Sequence, residues 1–319
     1  MRIVIFVDAN TLTTGRLLRA ATRAAAERDD LEIAAVVTTR PEAFRPAAFS
    51  RMAGTARRLL VTATNREVPL RWAFQGPFDL FRLCRRRGIP VLVPSGGDPN
   101  EAPFLEKRLA PLDADAALSL YCRHRLGRRL RALFEQSVNY HDGLLPDYRG
   151  VMATSFSIFA GEKQTGFCFH HMSGEIDAGP VLVREAIPLA TDARLGEVVE
   201  RKSARAAAAL PGLLRRMADH DPGRPQAGDG QTFTAHDLVA MTRLTNPENA
   251  TRDEILRRIR AFGEVCLAIE GHELPVTRLR ASRPGRRLTF RTADGQWLAP
   301  DRLAGLPVPL FNIEWRLSR

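Results

Sequence analysis

The sequence predicts an α/β protein with a doubly wound, mostly parallel sheet, followed by a small β-rich C-terminal domain. Three observations carry that expectation. Short apolar runs recur through the first half of the chain, beginning with Ile3-Val4-Ile5-Phe6-Val7. Segments with helical spacing lie between them, the alternation expected of strands joined by crossover helices. A Pro/Gly-rich stretch at 221–230 then separates this part from a tail of short strand-like segments. At 319 residues the chain exceeds one typical domain. The boundaries read from it are 1–220 for the larger domain, 221–250 for a linker and 251–319 for the tail.

In chain order, residues 3–7 are apolar throughout, as in a strand covered on both faces. Residues 17–26 carry Leu, Ala and Arg at helical spacing, and 31–37 make a second strand, completing a β-α-β unit. The turn Asp8-Ala9-Asn10 lacks G-x-G-x-x-G, so no dinucleotide site is expected. Asp8 either contacts a ligand at the strand's carboxyl end or caps the next helix or a turn. The stretch 39–88, with Arg51, Arg57, Arg58 and Arg85 to Arg87, is either a substrate-contacting insertion or a solvated excursion. Residues 89–94 and 114–121 read as further strands, with a helix at 101–109 between them. A strand end at 137–139 leads to a helix from Tyr148-Arg149-Gly150 through about Phe159. Segments 165–172 and 179–189 form an antiparallel hairpin that carries Asp177 in its loop. A long amphipathic helix covers 195–217, with Pro211 as a candidate kink. The tail offers a helix at 253–262 and strands at 274–279, 287–291 and 297–298.

Composition excludes more than it identifies. The apolar fraction of 45% suits a globular core. No 18-residue apolar window exists, and the N-terminus reads as a core strand instead of a signal peptide, so a cytoplasmic protein is expected. Cys84, Cys122, Cys168 and Cys266 are scattered, which points to free thiols and to no metal site. The net charge of +11 comes with 44 arginines and only three lysines, Lys107, Lys163 and Lys202. That skew suggests GC-rich coding more than a nucleic-acid partner. The tail nevertheless holds 13 basic and 8 acidic residues.

The chemistry concentrates between residues 137 and 183. Asn139, His141 and Asp142 abut Gly143-Leu144-Leu145-Pro146, and Asp177 sits in the loop Ser173-Gly174-Glu175-Ile176-Asp177-Ala178-Gly179. An amide that stabilises an oxyanion, an imidazole that moves a proton and a carboxylate that orients the imidazole are the parts for acyl or formyl transfer. Asp142 and Glu175 read as solvated or turn residues, and Arg149 as a brace for the loop. His170 and His171 are adjacent in a strand, so one of them faces the site.

The run Asn139-Tyr140-His141-Asp142-Gly143-Leu144-Leu145-Pro146-Asp147-Tyr148-Arg149-Gly150, then Gly161-Glu162-Lys163-Gln164-Thr165-Gly166, then Asp177-Ala178-Gly179-Pro180, resembles the 10-formyltetrahydrofolate-dependent formyltransferases. The pattern N-x-H-x-S-L-L-P-x-x-R-G is kept in order over about 45 residues, with Gly143 in place of the usual Ser and Phe167-Cys168-Phe169 in place of a Val-Thr run. The resemblance implies 10-formyltetrahydrofolate as formyl donor and Asn139, His141 and Asp177 as the catalytic set. It also implies donor contacts from Tyr121, Arg123, His124, Arg125, Gly174 and Ile176, and substrate contacts from His170 and Asp8. Arg123, His124 and Arg125 depart from the family's segment. They either reach the glutamate tail or a phosphate, or they lie on the surface. The tail resembles a shortened form of the β-rich domain of methionyl-tRNA formyltransferases.

The leading expectation is formylation of an amine on a small metabolite or sugar nucleotide, with His170 and the G-E-K-x-T-G turn resembling the sugar-type members. The alternatives are formylation of initiator aminoacyl-tRNA, hydrolysis of formyl-folate, and a binding protein on a degenerate formyltransferase fold.

Overall fold

The structure, a computed structural model, describes residues 1–8, 12–39, 41, 80–122, 124–304 and 306–307. Ala9, Asn10, Arg51, Arg57, Arg58 and Arg123 lie outside the described residues.

The first part is built from β1 (Arg2–Phe6), α1 (Leu12–Ala26), β2 (Glu32–Val37), α2 (Leu80–Arg86), β3 (Val91–Leu92), β4 (Ala116–Ser119), α3 (Arg128–Arg131) and β5 (Gln136–His141). It continues with β6 (Arg149–Gly150), α4 (Ala153–Ala160), β7 (Gln164–His171), β8 (Val181–Pro188) and α5 (Leu195–Ala218). Seven of these strands form one sheet in the order β3-β2-β1-β4-β5-β7-β8. The first five run parallel, and the β7–β8 hairpin closes the edge antiparallel.

Side chains alternate across this sheet and both faces are covered, which is why β1 is apolar without interruption. Ile3 and Ile5 pack with Leu17 and Leu18 of α1 and Leu210 and Leu213 of α5. Val4 and Phe6 pack on the other face with Leu105, Leu109, Leu130 and Phe134. The helix expected at 101–109 is a distorted helical segment over 102–112. Pro103 and Pro111 each withhold an N–H from it, so a regular ladder cannot run through. α5 continues through Pro211 as one 24-residue helix. Among the described residues no helix is long and apolar enough to cross a membrane.

The stretch at 221–250 is more structured than a spacer. It holds β9 (Thr232–Phe233), α6 (Ala235–Thr242) and β10 (Arg243–Leu244). Thr234 and Asp237 close a reciprocal capping box at the start of α6. β9 pairs with β6, aligning Arg149 with Thr232 and Gly150 with Phe233. This pairing displaces the expected helix start from residue 148 to Ala153. Gly150 has φ +84°, and a Cβ there would lie 2.1 Å from the Phe233 carbonyl oxygen, so glycine is required for the approach.

The tail comprises α7 (Arg252–Phe262), β11 (Val265–Ile269), β12 (His272–Ala281), β13 (Phe290–Arg291), β14 (Trp297–Leu303) and β15 (Leu306–Pro307). With β10 these strands make a second sheet, β10-β11-β12-β14-β13, with β15 on β14. Its core includes Val265, Leu267, Val276 and Leu298. α7 meets α4 through a fourth cluster in which Phe156 and Ile158 pack with Ala261 and Phe262.

Candidate active site

β5 delivers the key side chains because it sits between β4 and β7 and ends at His141. Asn139 and His141 alternate with the core residues Val138 and Tyr140, so both project from the same face. The antiparallel register then sets His170 of β7 directly opposite Asn139. Asp177 arrives from the β7–β8 loop, its backbone in the left-handed region at φ +51°.

The carboxylate of Asp177 stands between two imidazoles. Its Oδ2 is 3.3 Å from His141 Nδ1, and its Oδ1 is 3.3 Å from His170 Nε2. The Asn139 amide lies 3.3 Å from His170 Nε2 and 3.4 Å from Asp177 Oδ1. Gly150 N–H donates to Asp177 Oδ2 at 2.8 Å. Burial opposes the charge on Asp177. The His170 hydrogen bond, the positive potential of His141 and His170 and the Gly150 N–H outweigh it and lower the carboxyl pKa to about 2. The carboxylate is therefore ionised at any physiological pH.

Each imidazole is held from behind. His141 Nε2 meets the Tyr148 carbonyl oxygen, and His170 Nδ1 meets the His171 carbonyl at 2.8 Å. A carbonyl can only accept, so both rings carry a proton on that outer nitrogen and turn the other one toward Asp177. The Tyr148 carbonyl reaches His141 because residue 143 is glycine. A Cβ there would lie 2.5 Å from Ala153 Cβ, 2.8 Å from His141 Nε2 and 2.9 Å from Tyr148 O.

A second layer fixes the Asp177 loop. The Gln226 amide donates to the carbonyls of Asp177 (2.7 Å) and Gly179 (2.8 Å). Arg149 in turn donates to Gln226 Oε1 at 2.9 Å and to the Asp229 carbonyl at 3.0 Å. Gln226 carried no signal in the sequence, since it lies in the Pro/Gly-rich stretch far from the motif. Asp142, expected at the surface or in a turn, is instead drawn inward, with Thr154 Oγ1 3.0 Å from its carboxylate.

The remaining sequence-derived residues divide into two groups. Arg125 donates to the Gly174 carbonyl, joining the segment after β4 to the Asp177 loop. Ile176, beside Asp177, is 53% exposed. Tyr121 is half-buried, and burial and the nearby Asp142 carboxylate hold its hydroxyl well above the ordinary tyrosine range. Asp8 and His124 meet each other at the end of β1. The buried Asp8 carboxylate accepts from Thr39 N (2.7 Å) and Oγ1 (2.8 Å) and from Cys122 Sγ (3.2 Å). His124 Nδ1 is 3.6 Å from the same carboxylate. Asp8 thus ties the ends of β1, β2 and β4 together. Cys168 Sγ accepts from Leu145 N at 3.5 Å, and burial pushes its thiol up to about 11, so it holds no thiolate at neutral pH.

An amide donor, a charged carboxylate and two imidazoles within hydrogen-bonding reach can stabilise an oxyanion and move a proton. The profile of the formyl transferase family matches residues 1–214. A GDP-perosamine N-formyltransferase of Brucella melitensis is 33% identical over 125 residues, covering 39% of this chain and 48% of that protein. The match thus spans about half the length of that relative. A methionyl-tRNA formyltransferase of Xanthomonas axonopodis is 32% identical over 222 residues, covering 62% of this chain and 70% of that protein. Among solved structures, a sugar N-formyltransferase from a Shewanella species superposes with a TM-score of 0.61 at 17% identity, over 87% of this chain and 97% of that one. This last likeness speaks to the fold.

Proposed function

This chain belongs to the formyl transferase family, and from that premise we propose that it transfers the formyl group of 10-formyltetrahydrofolate to an amine of a small metabolite or sugar nucleotide. In this reading residues 1–220 are the catalytic domain, 221–250 the connector and 251–319 a small β-rich domain. The observation that carries the proposal is the convergence of Asn139, His141 and His170 on the Asp177 carboxylate.

The donor supplies an activated formyl carbon. The acceptor amine attacks that carbon directly, the donor's C–N bond breaks, the amine gives up a proton and the departing nitrogen gains one. Asn139 offers an N–H to the oxygen that gains charge. Its present contacts, at 3.3 and 3.4 Å, are at the long end of hydrogen bonding, so the amide can turn to a substrate without losing a strong bond. Asp177, ionised before the reaction, keeps both imidazoles aimed, accepts the amine's proton through one of them or through water, and returns a proton to the departing nitrogen. The segment bridged by Arg125 and Gly174, together with exposed Ile176, fits a donor-binding wall beside Asp177.

The test is incubation with 10-formyltetrahydrofolate and a panel of amines and amino sugars while folate absorbance is followed. Amine-dependent loss of the donor is the expected result, and no turnover with any acceptor would refute the proposal. Formate release without an amine would indicate a hydrolase. The methionyl-tRNA relative, which matches 222 residues, supports a second reading in which the acceptor is aminoacyl-tRNA. Co-elution with tRNA at moderate salt, falling steeply as salt rises, would select it.

A further inference from the structure

A buried cation lies directly behind the candidate site. Lys202, on α5, is 2% exposed. Its ammonium donates to the main-chain carbonyl of Asp142 and to Thr154 Oγ1. Thr154 Oγ1, on α4, is 3.1 Å from the same carbonyl and 3.0 Å from Asp142 Oδ2, so its single proton also serves Asp142. The Asp142 carboxylate also lies close enough to Tyr121 to raise that hydroxyl's pKa. Two helices, α4 and α5, therefore close on one residue, and that residue directly follows His141.

The chemistry of this spot selects an ammonium. The chain carries 44 arginines and three lysines, yet here the cation is lysine. A guanidinium brings five N–H donors in a rigid plane, whereas the site offers a carbonyl, a hydroxyl and a neighbouring carboxylate, a set that suits three donors on a point charge. Burying a charge in this way is costly, and only its hydrogen bonds and the neighbouring carboxylate offset that cost.

We propose that Lys202 is a positioning residue for formyl transfer. By holding the Asp142 carbonyl it fixes the backbone that carries His141, and so the aim of His141 Nδ1 at Asp177. It does not touch the reacting atoms. Burial lowers its pKa to about 8, while the Asp142 carboxylate acts to keep the charge, so the ammonium persists at neutral pH.

The inference rests on the formyl-transfer reading, and its test separates the two. Lys202→Met keeps the apolar stem and removes the donors, and Thr154→Val removes the bridging hydroxyl with little change of shape. Each variant should lower kcat by up to about 10²-fold with KM for donor and acceptor unchanged, since small misplacements of catalytic groups have that effect. The double variant should be no worse than the poorer single one, because both act through Asp142. In the protein without substrates, the side-chain nitrogen resonances of His141 should move in both variants. If Lys202→Met fails to fold, Thr154→Val decides alone. Folded variants with wild-type kcat and unmoved His141 resonances would overturn the proposal. If the wild-type protein formylates no amine, the function reading fails, while the His141 resonances still decide the role of Lys202.

Discussion

At the scale of single residues, the site depends on one ionised carboxylate and the groups it aligns. Asn139→Ala should lower kcat by about 10²–10³, as removal of one oxyanion donor does, with KM little changed. Steady-state kinetics with an identified acceptor checks this. Asp177 makes a prediction about stability. Its carboxyl is lowered from 3.8 to about 2 in the fold, so the unfolded chain takes up its proton first as pH falls. The stabilisation, about 2 kcal/mol, is present above pH 3.8 and lost as pH drops through about 2. Urea unfolding between about pH 2 and pH 5 should show this slope in the wild type and a weaker one in Asp177→Asn. Lys202 acts with the opposite reach. Its pKa is lowered from 10.5 to about 8, so the folded protein releases a proton that the unfolded chain keeps. Stability should therefore rise by about 3 kcal/mol between pH 8 and pH 10.5 relative to Lys202→Met.

At the scale of elements, the site is assembled by pairings the motif does not contain. β6 and β9 are two residues each, yet they seat Gly150 where its N–H reaches Asp177 and bring Gln226 against the Asp177 carbonyl. Gly150→Ala should break this seat, since the new Cβ would fall 2.1 Å from the Phe233 oxygen at φ +84°. A loss of about 1–3 kcal/mol is expected from such overpacking, together with a lower kcat, and thermal unfolding and kinetics measure the two. The motif's register was legible because β5 must place Asn139 and His141 on one face. The Gln226 contact was not, because nothing local in Pro225-Gln226-Ala227 indicates what it will meet.

At the scale of the whole molecule, two sheets are joined by a small apolar cluster. Phe156 packs edge-on to Phe262 with ring centroids 5.4 Å apart and stacks on Phe233 at 4.0 Å. Phe262→Ala should cost about 3–5 kcal/mol, the range for large-to-small changes in a packed core. It should also split a single calorimetric unfolding transition into two, because the two sheets keep their own cores when the cluster between α4 and α7 is weakened.

The sequence by itself determined the parallel sheet, the hairpin at its edge, and the presence of an amide, an imidazole and a carboxylate in the right order. Those features follow from periodicity and from a contiguous motif, which are properties of short stretches of chain. Tertiary structure alone decided that His170 meets the Asp177 carboxylate, that Asp8 ties three strand ends together, that Asp142 turns inward to Lys202, and that 221–250 folds back as part of the site's support. Each of these depends on contacts between residues 31 to 80 positions apart. Contacts at such separations are fixed by how helices and strands pack, and a local pattern carries no record of that.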